Sequence, residues 1–105
     1  MTTTLIATFT ALPGHRDDVA GLIDGFAAVV RAEPGNLVFE PFTRTADDHD
    51  FVVYEQYRDE SAFQAHLANP AGPAFNAELA RHIVGGGSAL DFLTPVDESG
   101  TGSEP

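Results

Sequence analysis

The sequence predicts an α+β domain in which an antiparallel sheet carries helices on one face. Two observations lead to this fold class. Four short runs show the alternating apolar residues of strands, and two other stretches show apolar residues at helical spacing. Their order along the chain is strand, helix, strand, strand, helix, strand. This βαββαβ order is that of the ferredoxin-like fold.

The first quarter of the chain supplies a strand and the most regular helix. Residues 4–11 alternate as a strand does, and Pro13-Gly14 ends the run. Residues 15–31 carry one apolar helical stripe, made of Val19, Leu22, Ile23, Phe26, Val29 and Val30. Glu33-Pro34-Gly35 then ends the helix, because Pro34 cannot continue it and Gly35 turns freely.

The middle of the chain reads as a hairpin of two strands. Residues 36–43 form the first strand, and Pro41 predicts a free edge or a bulge because it lacks an amide donor. Residues 45–50 (TADDHD) read as a polar loop. Phe51–Tyr57 is dense in β-branched and aromatic residues, which favours a central strand.

The last part of the chain predicts helices and an edge strand. Asp59 and Ser61 are two candidate N-caps for a helix that runs to Leu67, and the Asn69–Pro73 segment breaks it. The later elements are a second helical piece over residues 74–83, a joint at 85–87 and a strand at 88–94. We expect one domain over residues 1–96 and a disordered acidic tail over 97–105.

Composition excludes several classes of partner. The chain has 105 residues and a formal net charge of -11, and this charge repels phosphate backbones and anionic lipid. We therefore expect no nucleic-acid or membrane partner. With no cysteine there are no disulfides, thiolate metal sites or cysteine nucleophile. The first ten residues do not resemble a signal peptide, so a cytoplasmic location is the default.

A candidate site follows from the central strand and the helix after it. Glu55 and Tyr57 lie on the same strand face as Val53, and a helix folded back over that face would bring His66 beside them. His66 could act as a base, or it could be a core histidine held by Glu55 or by a backbone carbonyl. Glu55 could orient His66 or be held by a backbone amide or Arg58, and Tyr57 could be a packing residue.

These residues also carry a resemblance to a known family. The matching pieces are Glu33-Pro34-Gly35, Glu55-Gln56-Tyr57, Ala65-His66-Leu67, Asn69-Pro70 and Phe75, in an order that runs from about Leu5 to Val96. Together they resemble the antibiotic biosynthesis monooxygenase family, the dimeric α+β barrel group. The resemblance implies a homodimer. Activities in the family include cofactor-independent oxygenation of aromatic polyketides, oxidation of quinols and isomerisation.

Departures from the family pattern refine this expectation. Val53, Tyr57, Phe63 and Asn76 hold the positions of the Asn, Trp, Tyr and Arg implicated in substrate handling by the polyketide oxygenases. Only Tyr57 is a comparable aromatic. Asn76 also stands where the heme-degrading branch has its iron-ligating histidine, so we expect no heme. We likewise expect no flavin and no metal.

The resulting hypothesis is a cofactor-independent monooxygenase that oxidises a small aromatic or quinol-type substrate with O2. His66 is the expected base, with Tyr57, Glu55 and either Asn36 or Asn76 as polar partners. The expected walls of the site are Phe9, Phe39, Val53, Phe63 and Phe75. Two alternatives stay open, an isomerase of a polar metabolite and a non-catalytic dimer that binds a small molecule.

Three further predictions concern the surface. The sheet face that bears Val52 and Tyr54 would be left uncovered in a monomer, which favours a face-to-face homodimer. Residues 47–50 (DDHD) have the composition of a metal cluster, but four consecutive residues cannot all turn onto one ion and turn chemistry favours a solvated loop. His15 and His82, at helix ends, read as surface residues.

Overall fold

The computed structural model describes residues 1–97 of the chain. Its elements are β1 (Thr3–Thr10), α1 (Arg16–Arg31), β2 (Asn36–Arg44), β3 (Asp47–Tyr57), α2 (Glu60–Leu67), α3 (Ala71–Leu79) and β4 (Ala89–Leu93). The strands form one antiparallel sheet in the order β2-β3-β1-β4, which confirms the predicted ferredoxin-like arrangement. The predicted disordered tail lies outside the described residues, except for Asp97.

One face of the sheet forms the hydrophobic core. Leu5 of β1 lies opposite Glu55 of β3, and Ala7 lies opposite Val53, so these side chains point towards the helices. The α1 helix packs on this face through its buried residues Val19, Ile23, Ala27 and Val30. Val29, which the helical stripe included, is 40% exposed, so the buried stripe is narrower than predicted.

Two elements begin well before their predicted starts, and both contain residues that usually break structure; α3 also ends at Leu79 rather than at residue 83. The strand β3 begins at Asp47, and the hairpin turn is only Thr45-Ala46. The polar Asp47–Asp50 run is thus part of a strand that extends past the core into solvent. The helix α3 begins at Ala71, after Pro70, and Pro73 is tolerated in its first turn because amides there have no partner within the helix.

Local contacts place α2 firmly. Its N-cap is Asp59, whose Oδ1 accepts a hydrogen bond from the Ala62 amide at 2.8 Å, so Ser61 is not the cap. Gly35, which precedes β2, lies against Ala62, and a Cβ at Gly35 would overlap the Cβ of Ala62. This close approach lets the start of β2 and the helix α2 pack directly on each other.

The two edge strands leave apolar side chains uncovered. Pro41 lies in β2, which is an edge strand as predicted, with irregular pairing around Leu37. At the other edge, Leu90 and Phe92 of β4 face the helix side but are 51% and 54% exposed. No helix in residues 1–97 has the length and apolar character needed to cross a membrane.

Candidate active site

A cavity of about 270 Å³ lies between the core face of the sheet and the helices. Its apolar lining comes from Leu5, Ala7, Phe9, Ile23, Phe26, Phe39, Val53, Phe63, Leu67, Pro73, Phe75 and Leu90. Four residues with polar side chains reach the same space, namely Glu55, His66, Asn76 and Ser88. The volume is close to the lower limit of about 300 Å³ for typical ligand pockets, so the cavity suits a small molecule.

Most of the predicted site residues line this cavity. Eight of the ten do so, namely Phe9, Phe39, Val53, Glu55, Phe63, His66, Phe75 and Asn76. Tyr57 and Asn36 do not line it. Tyr57 is 0% exposed and its ring packs against the lining residues His66 and Phe63. The Asn36 side-chain amide donates to the carbonyl of Val38 at 3.0 Å. Both side chains donate hydrogen bonds within the protein, and neither borders the cavity.

Tyr57 instead supports Glu55. Its hydroxyl donates to Oε1 of Glu55 at 2.7 Å, so Glu55 is held by a side chain rather than by a backbone amide or Arg58. Burial raises the pKa of the Glu55 carboxyl above its ordinary value, although the Tyr57 hydrogen bond acts in the opposite direction. Burial, and then the adjacent Glu55, also raise the pKa of Tyr57, which keeps its hydroxyl protonated as a donor.

His66 has a different partner from those considered for it. Its Nδ1 lies 3.0 Å from Oε1 of Glu33, and Oε2 of Glu33 accepts a hydrogen bond from Nδ2 of Asn69 at 2.8 Å. The His66 and Glu33 side chains are only 13% and 15% exposed. Because a carboxylate can only accept, Nδ1 carries a proton in this contact, and Nε2 of a neutral His66 has the free lone pair.

The backbone and aromatic neighbours fix this arrangement. Oδ1 of Asn69 accepts from the Ala71 amide at 3.0 Å, which ties Glu33 and His66 to the start of α3. The imidazole ring packs 4.9 Å from the Tyr57 ring and 6.1 Å from the Phe63 ring, measured between centroids. These contacts leave His66 little freedom to rotate.

Glu33 and Asn69 were missed as site residues. Each lies at a predicted break in the chain, Glu33 after α1 and Asn69 after α2. The two side chains meet although they are 36 residues apart in the chain. The sequence offered two signals: each residue stands immediately before a proline, which is also common in ordinary loops, and each belongs to a segment that carries the family resemblance.

The charge of the lining limits the chemistry. Among residues 1–97, no arginine or lysine lines the cavity. A phosphate or other strongly anionic group would therefore lack a counter-ion there. The arrangement instead provides a positioned imidazole, a buried carboxyl and an aromatic wall. These are the parts needed to exchange a proton with a neutral aromatic molecule.

The fold and cavity together define a ferredoxin-like domain with an apolar cavity between its sheet and its helices. Residues 2–78 match the family described as antibiotic biosynthesis monooxygenase, and the chain belongs to that family.

The chain is also similar to individual proteins in sequence and in fold. The Mycobacterium tuberculosis protein named "Putative monooxygenase Rv0793" is 27% identical over 95 residues, which is 90% of this chain and 92% of that protein. Its solved structure has a TM-score of 0.83, with 24% identity, and the match covers 94% of this chain and 99% of that one. The structure of PA3566 from Pseudomonas aeruginosa is 29% identical with a TM-score of 0.81, over 90% and 94% of the two chains.

A more distant match shares the fold. A mutant of SnoaB, described as a cofactor-independent oxygenase from Streptomyces nogalater, is 20% identical with a TM-score of 0.79, over 90% of this chain and 93% of that one. This similarity shows that the fold accommodates such an oxygenase.

Proposed function

We propose that the protein is a cofactor-independent monooxygenase that oxidises a small, electron-rich aromatic substrate of the anthrone or quinol type with O2. The observation that carries the proposal is His66 on the wall of an apolar cavity, with Nδ1 bound to Glu33 and Nε2 free to act as a base. Membership of the family supports a monooxygenase, and the lining supports an uncharged aromatic ligand.

In the proposed reaction, the substrate itself supplies the electrons. For an anthrone-like substrate, Nε2 of His66 takes a proton from the activated methylene group. The resulting carbanion transfers two electrons to O2, one at a time, and a C–O bond forms. The peroxide anion recovers the proton from His66. Water then leaves as the O–O bond and the second C–H bond break, so the net reaction converts one methylene group and one O2 into one carbonyl group and one water molecule.

The other residues have distinct roles in this proposal. Glu33 is a positioning residue that stabilises the imidazolium formed when His66 accepts the proton. Glu55, whose Oε1 is held by Tyr57, presents its other oxygen to the polar end of the substrate, and Asn76 is a second polar contact. The aromatic residues Phe39 and Phe63 exclude water from the anion.

We also propose that the protein is a homodimer formed through the sheet face opposite the helices. That face bears Val52 and Tyr54, and its apolar residues Phe42 and Leu93 are 54% and 41% exposed in a single chain. Burial of such a face stabilises association. Sedimentation at micromolar concentration should show a dimer, and a Tyr54→Arg variant should shift it towards monomer. A folded wild-type monomer at that concentration would contradict the proposal.

The reaction can be tested with isotopic oxygen. The protein, dialysed against EDTA and without added flavin, should convert an anthrone in the presence of ¹⁸O2. One labelled atom should appear in the product carbonyl and the other in water. Oxygen uptake should match product formation one to one.

Three results would contradict the proposal. Saturable binding of the anthrone without conversion would assign the cavity to a non-catalytic binding protein. Conversion without O2 uptake would assign an isomerisation. If neither an anthrone nor a quinol is bound or converted, the proposed class of aromatic substrates is wrong.

A further inference from the structure

A second histidine cluster lies outside the cavity, where the end of α3 meets the start of α1. His15 precedes α1 and His82 follows α3, and their Nδ1 atoms are 2.9 Å apart. Oδ2 of Asp18, in the first turn of α1, is 3.9 Å from each Nδ1. The two histidines are 67 residues apart in the chain, so their sequence contexts gave no sign of this cluster and each read as an isolated surface residue.

The tautomer of His82 is set by a neighbouring carboxylate. Its Nε2 lies 3.1 Å from Oε2 of Glu78, one turn earlier in the chain. Since a carboxylate accepts, Nε2 carries the proton and Nδ1 of a neutral His82 presents a lone pair towards His15. A histidine whose second nitrogen donates to a carboxylate is the usual arrangement of a metal-binding imidazole.

The distances suit one ion with little movement. Zinc binds imidazole nitrogen at about 2.0–2.1 Å, so two nitrogens in a tetrahedral site lie about 3.3 Å apart. The nitrogens of His15 and His82 would separate by a few tenths of an ångström from 2.9 Å, and Asp18 would approach from 3.9 Å. The three ligand atoms already lie within 4.8 Å of one another.

The backbone holds the two histidines in place. The Leu12 amide donates to the His82 carbonyl at 2.9 Å, and the His15 amide donates to the Leu12 carbonyl at 2.9 Å. A bridge between Ala11 and Ile83 adds a further link. The site is thus formed by a rigid corner, and His82 is shielded, with a side chain that is 18% exposed.

The surrounding charge favours a cation. Asp18 and Glu78 face the histidines, and Arg81 is directed to the other oxygen of Glu78 at 3.4 Å. Arg16 is engaged by Asp17 and Asp48 instead. The chain as a whole has a formal net charge of -11.

We propose that His15, His82 and Asp18 bind one divalent late transition-metal ion of the zinc type, with Glu78 holding His82 in the binding tautomer. Imidazole and carboxylate ligands suit such ions better than Mg²⁺ or Ca²⁺. A bound ion links the start of α1 to the end of α3, the helix that supplies Pro73, Phe75 and Asn76 to the cavity. This site is separate from the proposed oxygenation, which needs no metal.

The test is titration of the full-length, tag-free, EDTA-treated protein with Zn²⁺ at pH 7.5 by calorimetry, with Co²⁺ absorption as a second probe. The wild type should bind one ion per chain, and Co²⁺ should give visible bands typical of low-coordinate nitrogen and oxygen ligands. His15→Gln and His82→Gln should each weaken binding at least tenfold. Glu78→Gln should weaken it by roughly 10- to 100-fold, the usual effect of losing a carboxylate that orients a ligand.

The matched control is His49→Gln, because Asp47, Asp48 and His49 form another cluster of potential ligand atoms on the exposed hairpin. Its affinity should equal that of the wild type, and circular dichroism should show every variant folded. Absence of saturable binding up to millimolar Zn²⁺ would overturn the proposal and leave a proton-bridged imidazole pair. Loss of binding in His49→Gln, with His15→Gln and His82→Gln unaffected, would overturn it in favour of the hairpin.

Discussion

Two of the clusters that combine histidine with carboxylate, His66 with Glu33 and His15 and His82 with Asp18, differ in what lies beside them. His66 and Glu33 are 13% and 15% exposed, and His66 borders an apolar cavity. His15 is 38% exposed and Asp18 is 61% exposed, at an outer corner that water reaches. The first cluster has one histidine with one free nitrogen, and the second has two histidines facing each other.

This difference shows how the same residue types are directed to different chemistry. A single imidazole oriented by a carboxylate in a largely apolar cavity can move a proton to and from a bound molecule. Two imidazoles with facing nitrogens have no space between them for an organic substrate, but they suit a metal ion or a shared proton. The number of histidines and the adjacent volume, rather than the presence of a carboxylate, distinguish the two.

The largest effect is expected at His66. The His66→Ala variant should lower turnover of an anthrone by roughly two to four orders of magnitude, the scale of general acid-base catalysis. His66→Gln, which keeps a donor for Glu33, should lose as much activity with less change in melting temperature. Turnover per folded molecule is the measurement, with folded protein quantified by circular dichroism.

The control for this prediction is His49→Ala, which removes an imidazole far from the cavity and should leave turnover within about twofold of wild type. If His66→Ala lowers the melting temperature but each folded molecule turns over normally, His66 is a packing residue. The cluster of His66 and Glu33 would then have no catalytic role, and the two clusters would no longer differ in the chemistry proposed for them.

A smaller effect is expected at Glu33. The Glu33→Gln variant keeps the shape of the residue but removes the charge that stabilises a protonated His66, so kcat should fall by roughly 10- to 100-fold, less than when the base itself is removed. KM should change little, because Glu33 does not line the cavity. Glu60→Gln, at an exposed position of α2, is the matched control. A rise in KM with unchanged kcat would show that Glu33 acts on binding instead.

The smallest effect concerns stability and its dependence on pH. Burial raises the pKa of Glu55 in the folded protein, so above about pH 4.5 the unfolded chain loses a proton that the folded chain keeps. The free energy of unfolding therefore falls as pH rises from there to the folded pKa. The Glu55→Gln variant has no carboxyl to ionise there, so its free energy of unfolding does not fall for this reason, and its amide oxygen can still accept the hydrogen bond from the Tyr57 hydroxyl. It should be more stable than wild type by a margin that grows with pH across this window.

Thermal melts of both proteins from pH 4 to 8 test this prediction. In a domain of this size, each 1 kcal/mol shifts the melting temperature by about 4–8 °C. A difference that stays constant with pH would show that Glu55 does not resist ionisation in the fold. Glu60→Gln again serves as the exposed control.

Much of the fold could be predicted from local patterns, because strands bury every second residue and amphipathic helices bury residues at helical spacing. The starts of β3 at Asp47 and of α3 at Ala71 could not be predicted in this way. The polar residues at the start of β3 pair as a strand although they lie beyond the core, and α3 contains Pro73 because that proline is in its first turn. In β3, strand pairing outweighed the low strand propensity of the polar residues, and in α3 the position of Pro73 in the first turn outweighed its low helix propensity.

The cavity walls were also largely predictable, because Phe39, Val53 and Phe63 lie on the core sides of elements whose faces could be assigned. The hydrogen-bond partners were not predictable. Glu33 reaches His66, and His15 reaches His82, through turns whose direction no local pattern specifies. Tyr57 shares its strand face with Glu55, but it is fully buried because the helix α2 covers the end of β3 and packs Phe63 against the Tyr57 ring.

The residues that line the cavity differ in how deeply they are buried, and this determines where the shape of the cavity can be changed by substitution. Val53 and Phe39 are 1% and 3% exposed, so a change of size there disturbs the core. Leu90, on the edge strand β4, borders the same cavity while 51% exposed, and Ser88 is exposed beside it. Substitutions at these two positions can reshape the cavity with little loss of folding stability. Leu90 of the edge strand and Ser88 just before it are thus the natural positions at which to vary the shape of the cavity by mutagenesis.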